Sequence, residues 1–463
     1  MKREFDNIYF LGIGGIGMSA LARYFLHEGY RVAGYDLTAT PLTRALESEG
    51  ADIHYEDDVA LIPAIMRDPK STLVVLTPAI PTDHKEWAWL REQGFRIEKR
   101  SQMLGVLSEG KCVMAVAGTH GKTTTSTLAA WLNYAAAGEG SAFLGGISRN
   151  FGSNLVLGEG RRLVVEADEY DRSFLRLYPN VAVITATDAD HLDIYGTPEA
   201  MVEAFEQFAS QIKAGGALIL KQGVELRFDT AGRELYRYSC DEGGDFHAEN
   251  IELMEGGYYR YDVVLPDGRI DGCTLGILGK VHIENSIAAV AMLWCAARIE
   301  GKSLDYDKVR GALREFEGVK RRMEVYLNTS EQVYIDDYAH HPEELRATIS
   351  SLRGIFPGRR LIAVFQPHLY TRTRDFAGEF AEVLSMADKV VMVPIYPARE
   401  LPIEGVTSEL IGRDITVEWE LVERDSVAEY LKSENTDVTV TFGAGNIDVI
   451  CSAVAKVLTE KLK

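Results

Sequence analysis

Short apolar runs of strand length alternate with helix-period patterns along almost the whole chain, the arrangement that builds a parallel sheet with helices on its faces. In the first stretch Ile8–Leu11 predicts a strand, Met18–Glu28 a helix, and Arg31–Tyr35 and Thr72–Leu76 two further strands. A charged segment, Arg91–Arg100, precedes a fresh strand at Val113–Ala117, so a boundary is expected near residue 105. Further buried strands are predicted at Leu163–Val165, Val181–Ile184 and Ala217–Leu220. Residues 221–275, rich in Gly, Tyr and Asp with alternating runs such as Tyr259–Val264, predict an antiparallel edge or subdomain. A helix over Ile283–Arg298 follows, apolar at Ile287, Val290, Ala291 and Trp294 and stopped at Gly301. After Gly318 a third pattern places strands at Val333–Ile335, Leu361–Phe365, Val390–Val393 and Val438–Phe442. Three α/β units are therefore expected, over residues 1–105, 106–318 and 319–463.

Composition narrows the function classes. Lys+Arg number 49 against 69 Asp+Glu, a net charge of −20, which argues against a protein that binds nucleic acid by neutralising phosphates. The longest uncharged stretches, Asn7–Ala22 and Thr123–Gly138, are 16 residues each and short of the roughly 20 apolar residues a membrane helix needs. Glu4 and Asp6 stand where a signal peptide would be basic. The five cysteines are scattered, odd in number and without a Cys-x-x-Cys pair, which fits a reducing cytoplasm. No membrane or nucleic-acid partner is expected, and the chain should be a monomer or weak homodimer.

Two loops carry phosphate chemistry. Gly12-Ile13-Gly14-Gly15-Ile16-Gly17 follows a strand and opens a helix, with Asp36 ending the next strand 19 residues beyond Gly17. The glycines let the backbone approach a pyrophosphate, and the helix start offers unpaired N–H groups. The loop does not say which dinucleotide it takes. The second loop is Gly118-Thr119-His120-Gly121-Lys122-Thr123-Thr124, again between strand and helix. Its backbone can cradle ATP phosphates, Lys122 can neutralise charge on a transferring phosphoryl group, and the Thr123 hydroxyl can reach Mg²⁺. Val116 stands where the commoner form of this loop has its first glycine.

Acidic and histidine clusters sit at other strand ends. Glu166-Ala167-Asp168-Glu169 and Asp188-Ala189-Asp190-His191 belong to the second unit, where carboxylates and one imidazole beside a triphosphate suit Mg²⁺. Glu166 and His191 are the expected ligands, with Asp168 and Asp188 read as caps or exposed acids. In the third unit Asp336-Asp337-Tyr338-Ala339-His340-His341-Pro342, Gln366-Pro367-His368, Arg372-x-Arg374 and Gly443-Ala444-Gly445-Asn446 all follow strands, and Pro342 is placed to begin a helix.

The order of these motifs closely resembles the Mur ligases over the whole chain. The resemblance implies three domains: a Rossmann-like UDP-sugar domain, a central ATPase-type parallel sheet, and a C-terminal Rossmann-like α/β domain that closes over both and helps receive an amino acid. It implies that the first loop takes a UDP-sugar and no nicotinamide. The implied reaction has ATP phosphorylate the lactyl carboxylate of UDP-N-acetylmuramate, after which L-alanine attacks the acyl phosphate. By the family pattern Gly12, Gly14, Gly15, Gly17, Asp36, Thr77 and Ser173 hold the UDP-sugar. Gly118 to Thr124, Asn285 facing adenine, Arg322, and Asp336 or Asp337 beside the ribose hold ATP. Thr123, Glu166 and His191 hold Mg²⁺, and Lys122, His191, His341, Arg372 and Arg374 serve the reacting groups.

Two departures from the family stand out. Gly279-Lys280-Val281-His282-Ile283-Glu284-Asn285 has Val281 and His282 where the family commonly has His and Asn. Within 200–213, where later Mur ligases use a carbamylated lysine, no matching lysine precedes Lys213, so a second metal would rest chiefly on His191. A ligase that attaches a recycled tripeptide to the same nucleotide sugar is the nearest alternative. A nicotinamide oxidoreductase would leave Lys122 and everything after it unexplained, and a nucleotide-binding regulatory module would show no turnover.

Overall fold

The computed structural model describes residues 4–188, 192–398 and 400–462. The chain forms two compact units, one of Met1–Glu249, Asp262–Cys273 and Glu284–Phe316, the other of Asn250–Tyr261, Thr274–Ile283 and Glu317–Lys463.

The first unit holds two sheets. One has five parallel strands in the order Asp52–His54, Arg31–Tyr35, Asn7–Leu11, Thr72–Leu76, Arg96–Lys99. The chain leaves the central strand Asn7–Leu11 toward one edge and returns to build the other, so strand order reverses between Asn7–Leu11 and Thr72–Leu76. A crevice at the carboxyl ends of two such strands is where open α/β sheets bind ligands, and Gly12 and Thr77 are the residues that follow them. The second sheet has seven strands, in the order Glu234–Tyr238, Ala217–Lys221, Val181–Ile184, Cys112–Ala117, Arg162–Glu166, Ser141–Ser148, Ser153–Val156. Only its last pair is antiparallel. Its reversal falls at Cys112–Ala117, a strand buried at every position and followed at once by Gly118.

Why these runs are strands is plain from burial. Asn7–Leu11, Cys112–Ala117 and Val181–Ile184 are buried at every position, so the near-continuous apolar run each carries is what their positions demand. The helix Lys122–Ala137 is entered through Gly121 at φ +77 and left through Gly138 at φ +70, left-handed conformations that glycine adopts without strain.

The second unit is built on six strands in the order Glu324–Asn328, Val333–Asp337, Val438–Phe442, Leu361–Phe365, Lys389–Met392, Glu418–Leu421, parallel except at the first pair. Pro342 opens the helix Pro342–Ile355, as the sequence predicts. The expected antiparallel subdomain is the three-stranded sheet His247–Leu253, Tyr259–Leu265, Gly268–Thr274. Two residues separate its last two strands, a connection that only antiparallel neighbours can use.

Sequence patterning missed the strands Asp52–His54, Arg96–Lys99, Ser141–Ser148, Ser153–Val156, Glu234–Tyr238, Glu324–Asn328 and Glu418–Leu421. Most are edge strands with a solvated face and no continuous apolar run; Ser141–Ser148 is buried but interrupted by Gly145-Gly146. Among the described residues no helix is long and apolar enough to cross a membrane.

Candidate active site

The first glycine loop is shaped by its neighbours. Gly12 has φ +85, and a Cβ there would fall on the Thr77 methyl, so the loop closes tightly over the crevice between the two central strands. Asp36 Oδ2 accepts from the Gly14 amide at 2.7 Å, and Oδ1 from Thr38 N at 3.2 Å. The carboxylate expected to face a ligand thus braces the loop from behind in this structure. Gly15 is open, with no atom nearer than 3.6 Å to a Cβ position. A Cβ on Gly17 would meet the Arg100 guanidinium, which also reaches Asp168 Oδ2 at 3.4 Å. Arg100, a residue of the charged segment before the expected boundary, thereby places a cation against the start of the loop's helix. Ser173 lies half-buried on the short helical turn Tyr170–Arg176.

The phosphate loop is held still more closely. Gly118, at φ +125, is backed by Thr185, whose hydroxyl donates to Ala117 O at 3.2 Å and to His120 O. Thr119 N donates to Ala186 O at 3.1 Å, and Thr119 is buried. Lys122 Nζ donates to Gly118 O and to Glu169 Oε1, each at 2.7 Å. Glu169 is fully buried, and burial raises its pKa against the opposing effect of Lys122. Thr123 Oγ1 donates to Glu166 Oε1 at 3.1 Å, while Ser126 Oγ at 3.3 Å and the Gly145 amide at 3.1 Å reach Oε2. Thr124 is buried on the first turn of the helix. Thr125 Oγ1 donates to Asn285 Oδ1 at 3.2 Å, and Asn285 also abuts Gly121. Asn285, expected at adenine, is therefore seated beneath the phosphate loop.

The acids sort themselves by tertiary position. Asp168 caps the following turn through Tyr170 N at 3.1 Å and faces Arg100, and Asp188 is 74% exposed, 4.0 Å from His120. Both fit the cap-or-exposed expectation. Glu169, given no role by the sequence reading, turns out to be the lysine's partner; three acids in four residues do not reveal which one points inward. His191, with Ala189 and Asp190, lies outside the described residues. Lys213 donates to Asn180 Oδ1 at 3.2 Å, at the amino edge of the central sheet and away from the phosphate loop.

In the second unit the two aspartates are interior. Asp336 is fully buried, held by Arg321 Nε at 3.2 Å and Thr441 Oγ1 at 2.6 Å. Asp337 accepts from Ala339 N at 2.8 Å, Met323 N at 3.0 Å and Thr348 Oγ1 at 3.3 Å, and burial pushes its pKa up to about 6. Both carboxylates, expected beside a ribose, organise the strand ends here. Arg321 spans those ends by also donating to the carbonyls of Gly445, at 3.0 Å, and Gly443. Arg322 is exposed, 5.5 Å from the Tyr338 ring.

His341 precedes the helix Pro342–Ile355, its ring 4.7 Å from that of Phe376. The two arginines diverge. Arg372 is half-buried with Nη1 3.4 Å from His368 Nδ1, and among the described residues it has no carboxylate ion pair. Arg374 is exposed and bound to Asp375 at 2.7 Å.

Family comparison covers nearly the whole chain. Residues 7–111 match the Mur ligase family catalytic domain, 116–293 the Mur ligase middle domain, and 321–445 the Mur ligase glutamate ligase domain. A UDP-N-acetylmuramate–L-alanine ligase of Phocaeicola vulgatus is 48% identical over 459 residues, 98% of each chain. One of Porphyromonas gingivalis is 45% identical over 464 residues, 99% of each. The crystal structure of a UDP-N-acetylmuramate-alanine ligase from Thermotoga maritima superposes with TM-score 0.80 at 27% identity, over 98% of this chain and 99% of that one. A murein peptide ligase of Psychrobacter arcticus shares the fold at TM-score 0.68 and 23% identity, over 98% of each chain. With three family models together matching most of the chain and a relative 48% identical over 98% of each chain, the chain belongs to the Mur ligase family.

Proposed function

We propose that the protein joins L-alanine to the lactyl carboxylate of UDP-N-acetylmuramate at the expense of ATP, a step in making peptidoglycan precursor. The observation that carries this reading is the full-length 48% identity to a relative bearing that activity in its name. The lactyl carboxylate oxygen attacks the γ-phosphorus and ADP leaves. The alanine amine then attacks the acyl carbon, phosphate departs, and the amine gives up a proton.

The main obstacle is charge, because a carboxylate and a triphosphate repel one another and the protein itself carries −20. Lys122 lies at the lip of the phosphate loop and is suited to the growing phosphoryl charge. Backbone amides of the loop Gly118–Thr123 other than that of Thr119, which donates to Ala186 O, would cradle the phosphates. The Thr123 hydroxyl and Glu166 carboxylate form an oxygen pair 3.1 Å apart that fits one side of a Mg²⁺ ion, the remaining positions falling to phosphate and water. When bound, that ion supplies positive charge to the β- and γ-oxygens.

We assign residues 1–105 to the UDP-sugar, 106–318 to ATP and 319–463 to the amino acid, with Arg372 and His341 as its anion-facing groups. Family matches at 7–111, 116–293 and 321–445 support these bounds. A reducing cytoplasm suits five cysteines of which none is in a disulfide. The test is ADP release by purified protein, which should require both UDP-N-acetylmuramate and L-alanine. Turnover that prefers the tripeptide L-Ala-D-Glu-diaminopimelate would replace the reading with the recycling ligase.

A further inference from the structure

Arg372 lies on a helix too short to orient itself. Tyr370–Asp375 has six residues, below the length at which a helix is stable on its own in water, and it is entered through Leu369 at φ +73 with no capping side chain from its own chain start. Its cap comes from elsewhere in the unit. Glu400, on the loop after the strand Lys389–Met392, accepts from Thr371 N through Oε2 at 3.0 Å and from Thr371 Oγ1 through Oε1 at 2.5 Å. A carboxylate satisfying a helix's first amides is favoured by both hydrogen bonding and the helix dipole. The same loop fixes the other side of Arg372. Leu369 N donates to Tyr396 O at 3.0 Å, Tyr396 N donates to Pro367 O at 2.9 Å, and the Tyr396 ring stacks on His368 at 5.8 Å.

Resting on the reading of Arg372 as an anion-facing group, we propose that Glu400 is a positioning residue for Arg372. Both of its oxygens are turned to Thr371, the residue next to the arginine. The carboxylate therefore orients the guanidinium without pairing with it, and leaves the positive charge for a substrate anion. Neutralising Arg372 directly would consume the charge the site needs. Capping the preceding residue does not.

The experiment measures kcat and KM for each of the three substrates in wild type, Glu400→Ala, Glu400→Gln, Arg372→Ala and the Glu400→Ala/Arg372→Ala double variant of the full chain. Expected are a rise of about tenfold in KM for L-alanine in Glu400→Ala, an unchanged KM for ATP, and a double variant no worse than Arg372→Ala alone. Glu400→Gln keeps one acceptor for Thr371 N and should recover most of the loss. Additive effects in the double variant, or equal losses for all three substrates with a lowered thermal midpoint, would overturn the proposal and leave Glu400 a structural residue only. An unchanged kcat and KM in Arg372→Ala would instead overturn the reading of Arg372, and the role of Glu400 with it.

Discussion

Lys122 pairs at 2.7 Å with the fully buried Glu169 inside the candidate active site, with the half-buried lysine also held by Gly118 O. A buried carboxylate paired to a lysine and a backbone carbonyl beside it keep the cation in the loop, at the place where a phosphate would compete for it. Lys122→Ala should abolish ADP release while UDP-N-acetylmuramate still binds, as measured by calorimetry, because the proposed function gives the two nucleotides separate loops. The same change strands Glu169 without its cation, so a loss of about 3 kcal/mol of stability should accompany it, to be checked by denaturant unfolding.

Gly12 and Gly15 look alike in sequence but differ in their surroundings. Gly12→Ala must place a methyl on Thr77 at a positive φ, whereas Gly15→Ala meets only ordinary contact distances. In thermal unfolding without ligand, the first should cost about 1–3 kcal/mol and the second within about 0.5. Equal effects would contradict this loop geometry.

Arg321 is expected to be structural. It joins Asp336 to the carbonyls of Gly443 and Gly445, and its removal leaves a buried carboxylate without its cation. Arg321→Ala should destabilise the protein by about 3–5 kcal/mol. The exposed neighbour Arg322→Ala should shift stability by less than about 0.5 kcal/mol. Chemical denaturation of the two variants side by side provides the comparison.

His282 sets a pH dependence of known sign. Burial lowers its pKa to about 4, so from pH 6.5 down to pH 4 the unfolded chain binds a proton that the folded protein refuses. Its contribution is fully present above pH 6.5 and is lost as pH falls through that window. Stability of His282→Leu relative to wild type should therefore improve by about 2 kcal/mol between pH 7.5 and pH 5. An unchanged difference at the two pH values would show that His282 titrates normally.

The central strands, both glycine loops and the helix starting at Pro342 were legible in the sequence because each has a local cause. A strand covered on both faces must be apolar throughout, a loop that receives phosphate needs glycine at positive φ, and a helix that begins with proline loses no amide bond. What the sequence could not assign was the partner of each charge. Glu169 rather than Asp168 faces Lys122, Asp36 turns to Gly14, Asp336 to Arg321, and Glu400 caps the helix that carries Arg372. Those pairings join residues 15 to 47 positions apart, and an ion pair forms only where the fold brings its two ends within hydrogen-bond reach. Local sequence signals therefore determined the central strands, the two glycine loops and the helix start at Pro342. The tertiary structure decided which charges are paired within the protein and which, like Arg372, have no carboxylate ion pair among the described residues.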